Sequence, residues 1–312
     1  MTAKVIVTGG NGYIGSALVR ELLRMGVEVH AIVNRNSDQL SVLLPSGCIH
    51  PAGNDWGAID ALVRELQPNI IYHLAAAYFE PPTLKEMAAI LNCEITLGAT
   101  LLHGASLCDP RPAFVNIGTY WQFGDAANGY APNTFYAAAK RAMHDILLYF
   151  RNLRGIPAVT LVLYDIFGPY DPRPKLWTKL AQAGAGSIFP VTEGRQYIEL
   201  VHVDDVIQAI LLAGDRLTQA ASMEPVYAVR SNERITLRKL LEAVRERAGL
   251  DIQFDWGAIP YLPNQIFNPW TGDCLPGWQP TIPPVDGIAK LITDAVALKP
   301  DAQKITGSSE KT

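Results

Sequence analysis

The chain has 312 residues, 49% of them hydrophobic and 18% charged, and carries a formal net charge of −4 at pH 7 with no block of basic residues. That much apolar material over that length fills a large core in one or two domains. The charge balance argues against nucleic acid or an anionic membrane surface as the main partner.

The N-terminus runs straight into a strand pattern with no visible signal peptide. Residues 4–8 are apolar and β-branched, and TGGNGYIG follows at residues 8–15 before a helical pattern over 15–25. Strands are predicted again at 27–33, 69–75 and 113–118, with helices at 57–67 and 85–107 between them. This is the βαβ rhythm of a parallel sheet covered on both faces. A helix over 134–154 leads to a strand at 158–164. From residue 168 the texture changes: Pro169, Pro172, Pro174, Gly184 and Gly186 predict irregular structure. Residues 203–213 read as a helix, 226–230 as a strand and 236–248 as a helix. The stretch 257–284, rich in Pro, Trp, Asn and Gly, reads as a loop-rich lid, and the polar last dozen residues as a frayed end. No apolar stretch runs unbroken to bilayer length. Cys48, Cys93, Cys108 and Cys274 lie far apart with no C-x-x-C pair, which predicts reduced thiols in a cytoplasmic protein and no metal site.

Gly9, Gly12 and Gly15 form G-x-x-G-x-x-G between a strand and a helix. The first permits the tight turn, the second lets a pyrophosphate approach the backbone, and the third brings the helix close to the sheet. Asn11, Tyr13 and Ile14 sit within the same loop and are counted with the glycines as cofactor contacts. An NAD site usually places a carboxylate at the end of the second strand to accept from the ribose 2′-hydroxyl. Here Asn34 and Arg35 stand in that place, and an arginine fork suits a 2′-phosphate, so NADP(H) is favoured over NAD(H). A solvated arginine on a surface loop is the plainer alternative. Further on, Thr119 ends a strand and YAAAK spans Tyr136 to Lys140, four apart on one helix face. An ammonium beside a phenol lowers its pKa and makes it a usable acid–base for hydride transfer at a carbonyl or alcohol carbon.

With these motifs, and with IIYHLAA (70–76), TYWQFG (119–124), YDIFGPYD (164–171) and VHVDDV (201–206), the chain resembles the extended short-chain dehydrogenases/reductases that act on nucleotide sugars, the NAD-dependent epimerase/dehydratase family. The resemblance implies a Rossmann-type doubly wound α/β sheet with a smaller, loop-rich substrate domain. The dinucleotide-binding part would be 1–167 with 196–230 returning to it, and the nucleotide-sugar part 168–195 and 231–312. It also implies that Thr119, Tyr136 and Lys140 are catalytic, with Tyr136 and Lys140 also touching the cofactor, and that Leu74, Ala75 and Ala76 line the cofactor site. Asp165 heads the segment 165–180 that would hold the nucleotide sugar.

Departures from the family pattern narrow the reaction. Dehydratases carry Asp-Glu after the catalytic Thr, where this chain has Tyr120 and Trp121. Double epimerases place a Cys just beyond the catalytic hydroxyl, and Cys108 precedes the strand instead. Ile198 stands where 4-epimerases often have an Arg. LYDIFGPYDPRPKL (163–176) resembles the matching stretch of CDP-abequose-synthase-like 4-ketoreductases, which implies NADPH-dependent reduction at C4 of an NDP-4-keto-6-deoxy or dideoxy sugar. Arg173, Lys175 and Arg195 are candidates for the diphosphate, with solvated loop charges as the alternative. Tyr120 and Trp121, with Phe123, would form an apolar wall against a deoxy face, or else cap the sheet. Asp204 and Asp205 read as helix caps, and His73 and His202 as packing. Asn92 and Glu94 compete for one family position and are set aside. The helices 85–107 and 134–154 would pair across a two-fold axis into the four-helix bundle of a homodimer. A 4-epimerase holding NAD and a non-enzymatic dinucleotide-binding regulator remain as alternative functions.

Overall fold

The computed structural model describes residues 3–34, 38–53, 55–125, 129–220 and 222–297. Arg35 and the last dozen residues, on which two expectations rest, lie outside them. In chain order the first part comprises β1 (Lys4–Thr8), α1 (Tyr13–Arg24), β2 (Glu28–Val33), α2 (Asp38–Leu43), β3 (Ile49–Pro51), α3 (Trp56–Leu66) and β4 (Ile70–His73). Then come α4 (Leu84–Leu91), a π-helical turn at Asn92–Thr96, α5 (Leu97–Ser106), β5 (Ala113–Thr119), α6 (Phe135–Arg154) and β6 (Ala158–Leu163). Strands β1 to β6 therefore fall where alternating apolar runs predicted them, with β3 and α2 as additions. A single helix over 85–107 was the sequence expectation; the π turn divides it, because an i→i+5 turn lodges one extra residue.

The chain continues through β7 (Asp165–Phe167), α7 (Leu176–Gln182), β8 (Ser187–Val191), β9 (Tyr197–Ile198), β10 (Leu200–His202) and α8 (Val203–Thr218). It ends with β11 (Val226–Val229), β12 (Ile235–Thr236), α9 (Leu237–Ala248), β13 (Ile252–Trp256) and α10 (Pro284–Ala297). The main sheet has seven strands in the order β11-β6-β5-β4-β1-β2-β3, every neighbouring pair parallel. Val5 and Val7 of β1 face a core shared with α1 and α8, while Ile6 faces a second core with α3, α5 and α6. This alternation is what a parallel sheet buried on both faces requires. The strand order reverses between β1 and β4, and ligands of such sheets bind at that switch point, beyond the strand C-termini.

A third core, built on Phe167, Leu180, Leu200, Leu240, Val244 and Ile288, lies under three small two-stranded sheets: β7 with β10, β9 with β12, and β8 with β13. The segment 168–195 thus contains a helix and a strand where its prolines and glycines predicted irregular structure. Residues 257–283 carry no helix or strand, and a single bridge from Cys274 to Ala228 ties them to the sheet edge. The stretch Leu84–Ser106 is, against the sequence reading, long and apolar enough to cross a membrane by length and composition. Leu97, Leu101, Leu102 and Ala105 within it belong to the sheet-covering core.

The acidic pair on α8 also differs from expectation. The cap is His202, whose Nδ1 accepts from the Asp204 amide at 3.2 Å. Asp205 is buried and accepts from the Thr281 amide (3.0 Å), the Thr281 hydroxyl (2.7 Å) and the Ile282 amide (3.1 Å), so it anchors the approach to α10.

Candidate active site

One cavity of about 850 Å³ opens at the switch point and is lined from both parts of the molecule. Its floor is the glycine turn. Gly9 has φ +71°, and a Cβ there would lie 2.8 Å from the Leu74 carbonyl and the Ala75 amide nitrogen. A Cβ on Gly15 would lie 2.1 Å from the Gly9 oxygen. Gly12 caps α1 without a side chain, and no acidic residue sits in the first turn. The positive end of α1 therefore meets the cavity uncompensated, which fits a pyrophosphate. Asn11, Tyr13, Ile14, Asn34, Leu74, Ala75 and Ala76 all line the same cavity.

The end of β4 is fixed by a buried chain of hydrogen bonds. The Ala75 amide donates to Thr8 Oγ1 (2.9 Å), which lies 3.0 Å from His73 Nδ1, while His73 Nε2 lies 3.2 Å from the Glu94 carbonyl. Burial, with Lys140 nearby, holds His73 neutral, its pKa pushed down to about 3. Neutral imidazole suits both contacts, with Nε2–H donating to the carbonyl and Nδ1 accepting from Thr8. His73 is therefore the satisfied packing residue its sequence context indicated.

Thr119, Tyr136 and Lys140 also line this cavity. Thr119 stands at the C-terminus of β5, where its Oγ1 accepts weakly from the Trp121 amide (3.4 Å) and its own amide donates to Gln122 Oε1 (2.8 Å). Neither bond uses the Thr119 hydroxyl proton. Thr134 caps α6 by accepting from the Ala137 amide at 3.1 Å, which sets the helix phase that aims Tyr136 and Lys140 inward. The Lys140 Nζ lies 5.7 Å from the Tyr136 ring centre.

The electrostatics correct one expectation. Glu94, on the π turn and wholly buried, approaches Lys140 Nζ to 2.8 Å through Oε2. The Tyr136 phenol is pushed up to about 12: burial outweighs the pull of Lys140, and Glu94 adds to the rise. Lysine alone would have brought the phenol down; burial of the phenol more than cancels that pull, and the Glu94 carboxylate adds to the rise. The pairing keeps Lys140 protonated despite burial, and burial raises Glu94 against the pull of Lys140. Sequence spacing could not single out Glu94, because the π turn shifts the helix phase by one residue.

Above the Tyr–Lys pair the wall is aromatic. Trp121 and Tyr136 stand edge-to-face at 6.4 Å, and Tyr78, half exposed and absent from the sequence reading, meets both at 5.6 and 5.7 Å. Tyr120 stacks on Tyr164 at 5.1 Å and donates its hydroxyl to Asp165 at 3.1 Å. Phe123 is buried, stacked at 4.0 Å on Trp270. Phe123 therefore caps the sheet, whereas Tyr120 and Trp121 line the cavity. Asp125 accepts from the Phe267 and Asn268 amides (2.9 and 2.5 Å), and Asn133 and Asn264 exchange amide-to-carbonyl bonds at 3.1 and 3.2 Å. These bonds hold the irregular 257–283 segment against the loop that follows β5.

The three candidate cations part company. Arg173 lines the cavity, but Asp171 grips its guanidinium through two bonds of 2.7 Å. Lys175 lines the cavity half-buried, forms no ion pair among the described residues, and has its pKa lowered by burial. Arg195 is a correction: it lies outside the lining, exposed and paired with Glu193 at 2.6 Å, because the turn at Gly194 carries it to the surface.

A doubly wound sheet with a glycine turn at its switch point and a Tyr–Lys pair above it defines an enzyme of the short-chain dehydrogenase/reductase type. The model of the NAD dependent epimerase/dehydratase family matches residues 5–229, and the chain belongs to that family. A CDP-abequose synthase of Salmonella typhimurium is 26% identical over 303 residues, covering 92% of this chain and 97% of its own. A dTDP-glucose 4,6-dehydratase of Xanthomonas campestris is 26% identical over 66% of each chain. Among solved structures, a UDP-glucose 4-epimerase of Thermotoga maritima with UDP-glucose superposes with a TM-score of 0.77 at 20% identity, over 94% of this chain and 98% of that one.

Proposed function

We propose that the protein is an NADPH-dependent reductase of the C4 keto group of an NDP-4-keto-6-deoxy or dideoxy sugar. The observation that carries this reading is the aromatic wall. Dehydration needs a base to take the C5 proton, and the positions after Thr119 hold Tyr120 and Trp121. Their rings, with Tyr78, suit a sugar face that lacks a hydroxyl. The nicotinamide supplies hydride when bound. Thr119 then orients the C4 oxygen, Tyr136 gives it a proton, and Lys140 holds the nicotinamide ribose. Lys175 meets the diphosphate. The uncharged Asn34 at the end of β2, where a carboxylate would repel a 2′-phosphate, supports NADP(H) over NAD(H). The proposal includes a homodimer through α4–α5 and α6, whose Leu84, Leu91, Tyr149 and Leu153 are exposed.

The test is stoichiometric. Purified protein is given NADPH with CDP-, dTDP- and GDP-4-keto-6-deoxyhexoses, NADPH absorbance is followed, and the product epimer is identified by NMR. One NADPH consumed per keto sugar supports the reading. Tightly retained NAD⁺ with interconversion of C4 epimers and no net NADPH consumption refutes it in favour of the 4-epimerase.

A further inference from the structure

We propose that the third core holds a second ligand site, an apolar hollow that takes an alkyl or aryl carboxylate of roughly six to eight carbons with its charged end on Lys175. Binding there is independent of the function proposed above. Its effect on the nucleotide sugar rests on that reading, through Lys175.

The hollow measures about 200 Å³ and is walled by α7, α9 and α10 with the strands β9 and β10. Leu180, Leu200, Leu240, Leu241, Val244 and Ile288 around it are all buried. Close-packed interiors hold few voids larger than a water molecule, so a void of this size within a core calls for an occupant. Among the described residues, every lining side chain other than Asp165 and Lys175 is apolar. An apolar hollow of about 150 Å³ stays dry and takes a benzene ring, and this one has room for a carbon or two more. A nucleobase seated there would bury its edge N–H and C=O groups among hydrocarbon side chains without partners. That cost selects a hydrocarbon group instead.

The charged end of the ligand is set by the two polar residues. Asp165 and Lys175 line both the hollow and the main cavity, so they stand where the two adjoin. Asp165 already accepts the Tyr120 hydroxyl at 3.1 Å. Lys175 forms no ion pair among the described residues, and its Nζ lies 5.9 Å from the ring centre of Trp177, a wall of the hollow. Arg173, which lines the main cavity alone, is held by Asp171. A cation without a carboxylate partner, beside an unfilled apolar space, fits a ligand with one anionic end and one hydrocarbon end. A carboxylate bound to Lys175 keeps that ammonium from the diphosphate of a nucleotide sugar. The two ligands therefore compete.

The test is a chain-length series on the full chain, by calorimetry with acetate, butyrate, hexanoate, octanoate and decanoate, and with hexanol as the uncharged probe. Affinity should rise about fourfold per methylene from butyrate to hexanoate and level off by decanoate, when the hollow is full. Hexanol should bind about tenfold more weakly than hexanoate, and Lys175→Met should bring hexanoate down to that level. Val244→Phe, which puts a ring into the hollow, should weaken hexanoate about tenfold while NADPH still binds as in the wild type. If the keto-sugar assay succeeds, hexanoate should raise the KM for the sugar nucleotide without changing kcat. An unchanged KM overturns the role given to Lys175. Hexanoate that does not bind, or binds no better than acetate, overturns the proposal and needs no variant to fold. Affinity that climbs on through decanoate is surface adsorption and overturns it too, as does unchanged hexanoate binding in folded Val244→Phe. Each binding outcome stands even if no keto sugar is reduced.

Discussion

Alanine substitutions at three glycines of one loop should separate by large factors in dinucleotide affinity. At Gly9 an alanine would adopt φ +71° with its Cβ 2.8 Å from three backbone atoms of Leu74 and Ala75. The left-handed conformation costs about 1–2 kcal/mol, and opening the contact to van der Waals distance moves the loop or the end of β4 by roughly 0.6 Å, for a total of about 2–4 kcal/mol. A displaced loop loses charge-assisted amide bonds to a pyrophosphate, each worth about 1.5–3 kcal/mol. The NADPH dissociation constant of Gly9→Ala should therefore rise about 10–100-fold. Gly15→Ala should lose more, since its Cβ would meet the Gly9 oxygen at 2.1 Å and the Gly9 carbonyl carbon at 2.8 Å, backbone that no side-chain rotation can clear. Gly10→Ala is the control. Its Cβ would touch only the side chains of Leu40, Ala31 and Val19 at 3.4–3.6 Å, so binding should stay within about twofold and stability within about 0.5 kcal/mol. Fluorescence titration with NADPH and NADH, together with melting midpoints, measures all three. Equal losses in Gly9→Ala and Gly10→Ala, or wild-type affinity in Gly15→Ala, would refute the steric reasoning.

Replacing Tyr136 by Phe should cut turnover by about 10²–10⁴ while raising the dinucleotide dissociation constant by no more than about tenfold, the loss of one hydroxyl contact, and activity within tenfold of wild type would remove Tyr136 as the acid. Lys175→Met should raise the KM for the sugar nucleotide without touching cofactor affinity, whereas Arg195→Met, already paired outside the cavity, should leave both alone; steady-state kinetics decides between the two cations. Folding stability should fall in acid through His73. Its pKa is near 3 when folded and about 6.5 when unfolded, so the unfolded chain binds the extra proton; the contribution is whole above pH 6.5 and shrinks as pH drops towards 3. At pH 4.5 the loss from this one group is about 3 kcal/mol. Urea unfolding at pH 7 and 4.5 should show it in the wild type, and His73→Gln should have a shallower pH dependence; parallel curves would count against it.

The first two-thirds of the fold could be read directly because its signals are local. β-branched runs of four to seven residues made strands where they stand, and the glycine turn needed only its own residues to declare its geometry. The catalytic helix was legible for the same reason, since Thr134, Tyr136 and Lys140 act within two turns. What escaped was set by contacts distant in sequence. The helix and strand of 168–195 pair with β13, α9 and α10, and no local pattern overcame their prolines and glycines. Tyr78 follows a strand end in an unremarkable context and joins the site only because β4 lies beside β5. Glu94 was visible but unplaceable, because one inserted residue changes which side chain of the turn faces Lys140. Arg173 and Arg195 looked equivalent as charges in a Pro- and Gly-rich region, and only their carboxylate partners distinguish them.

The disposition of carboxylates bears on the choice between reactions that share this fold. A site that abstracts protons from carbon, or runs hydride transfer in both directions, needs a base that is charged and unoccupied. Among the described residues, Asp165 is the carboxylate that lines this cavity, and it and the two that pair with lining cations, Asp171 and Glu94, are already engaged. Asp165 accepts the Tyr120 hydroxyl at 3.1 Å, Asp171 holds Arg173 at 2.7 Å, and Glu94 meets Lys140 at 2.8 Å. Taking any of them as a base would cost that bond and leave a half-buried phenol or cation without its partner, a penalty of about 1–3 kcal/mol or more. Tyr136, by contrast, carries a proton that burial makes it hold, beside a hydroxyl that can orient the accepting oxygen. A buried phenol at about 12 is a poor base for an alcohol but a competent donor to an alkoxide as that charge develops, because the proton then moves to the stronger base. The protein therefore offers one proton to give and no free base to receive one, a balance that supports ketone reduction over dehydration and over epimerisation.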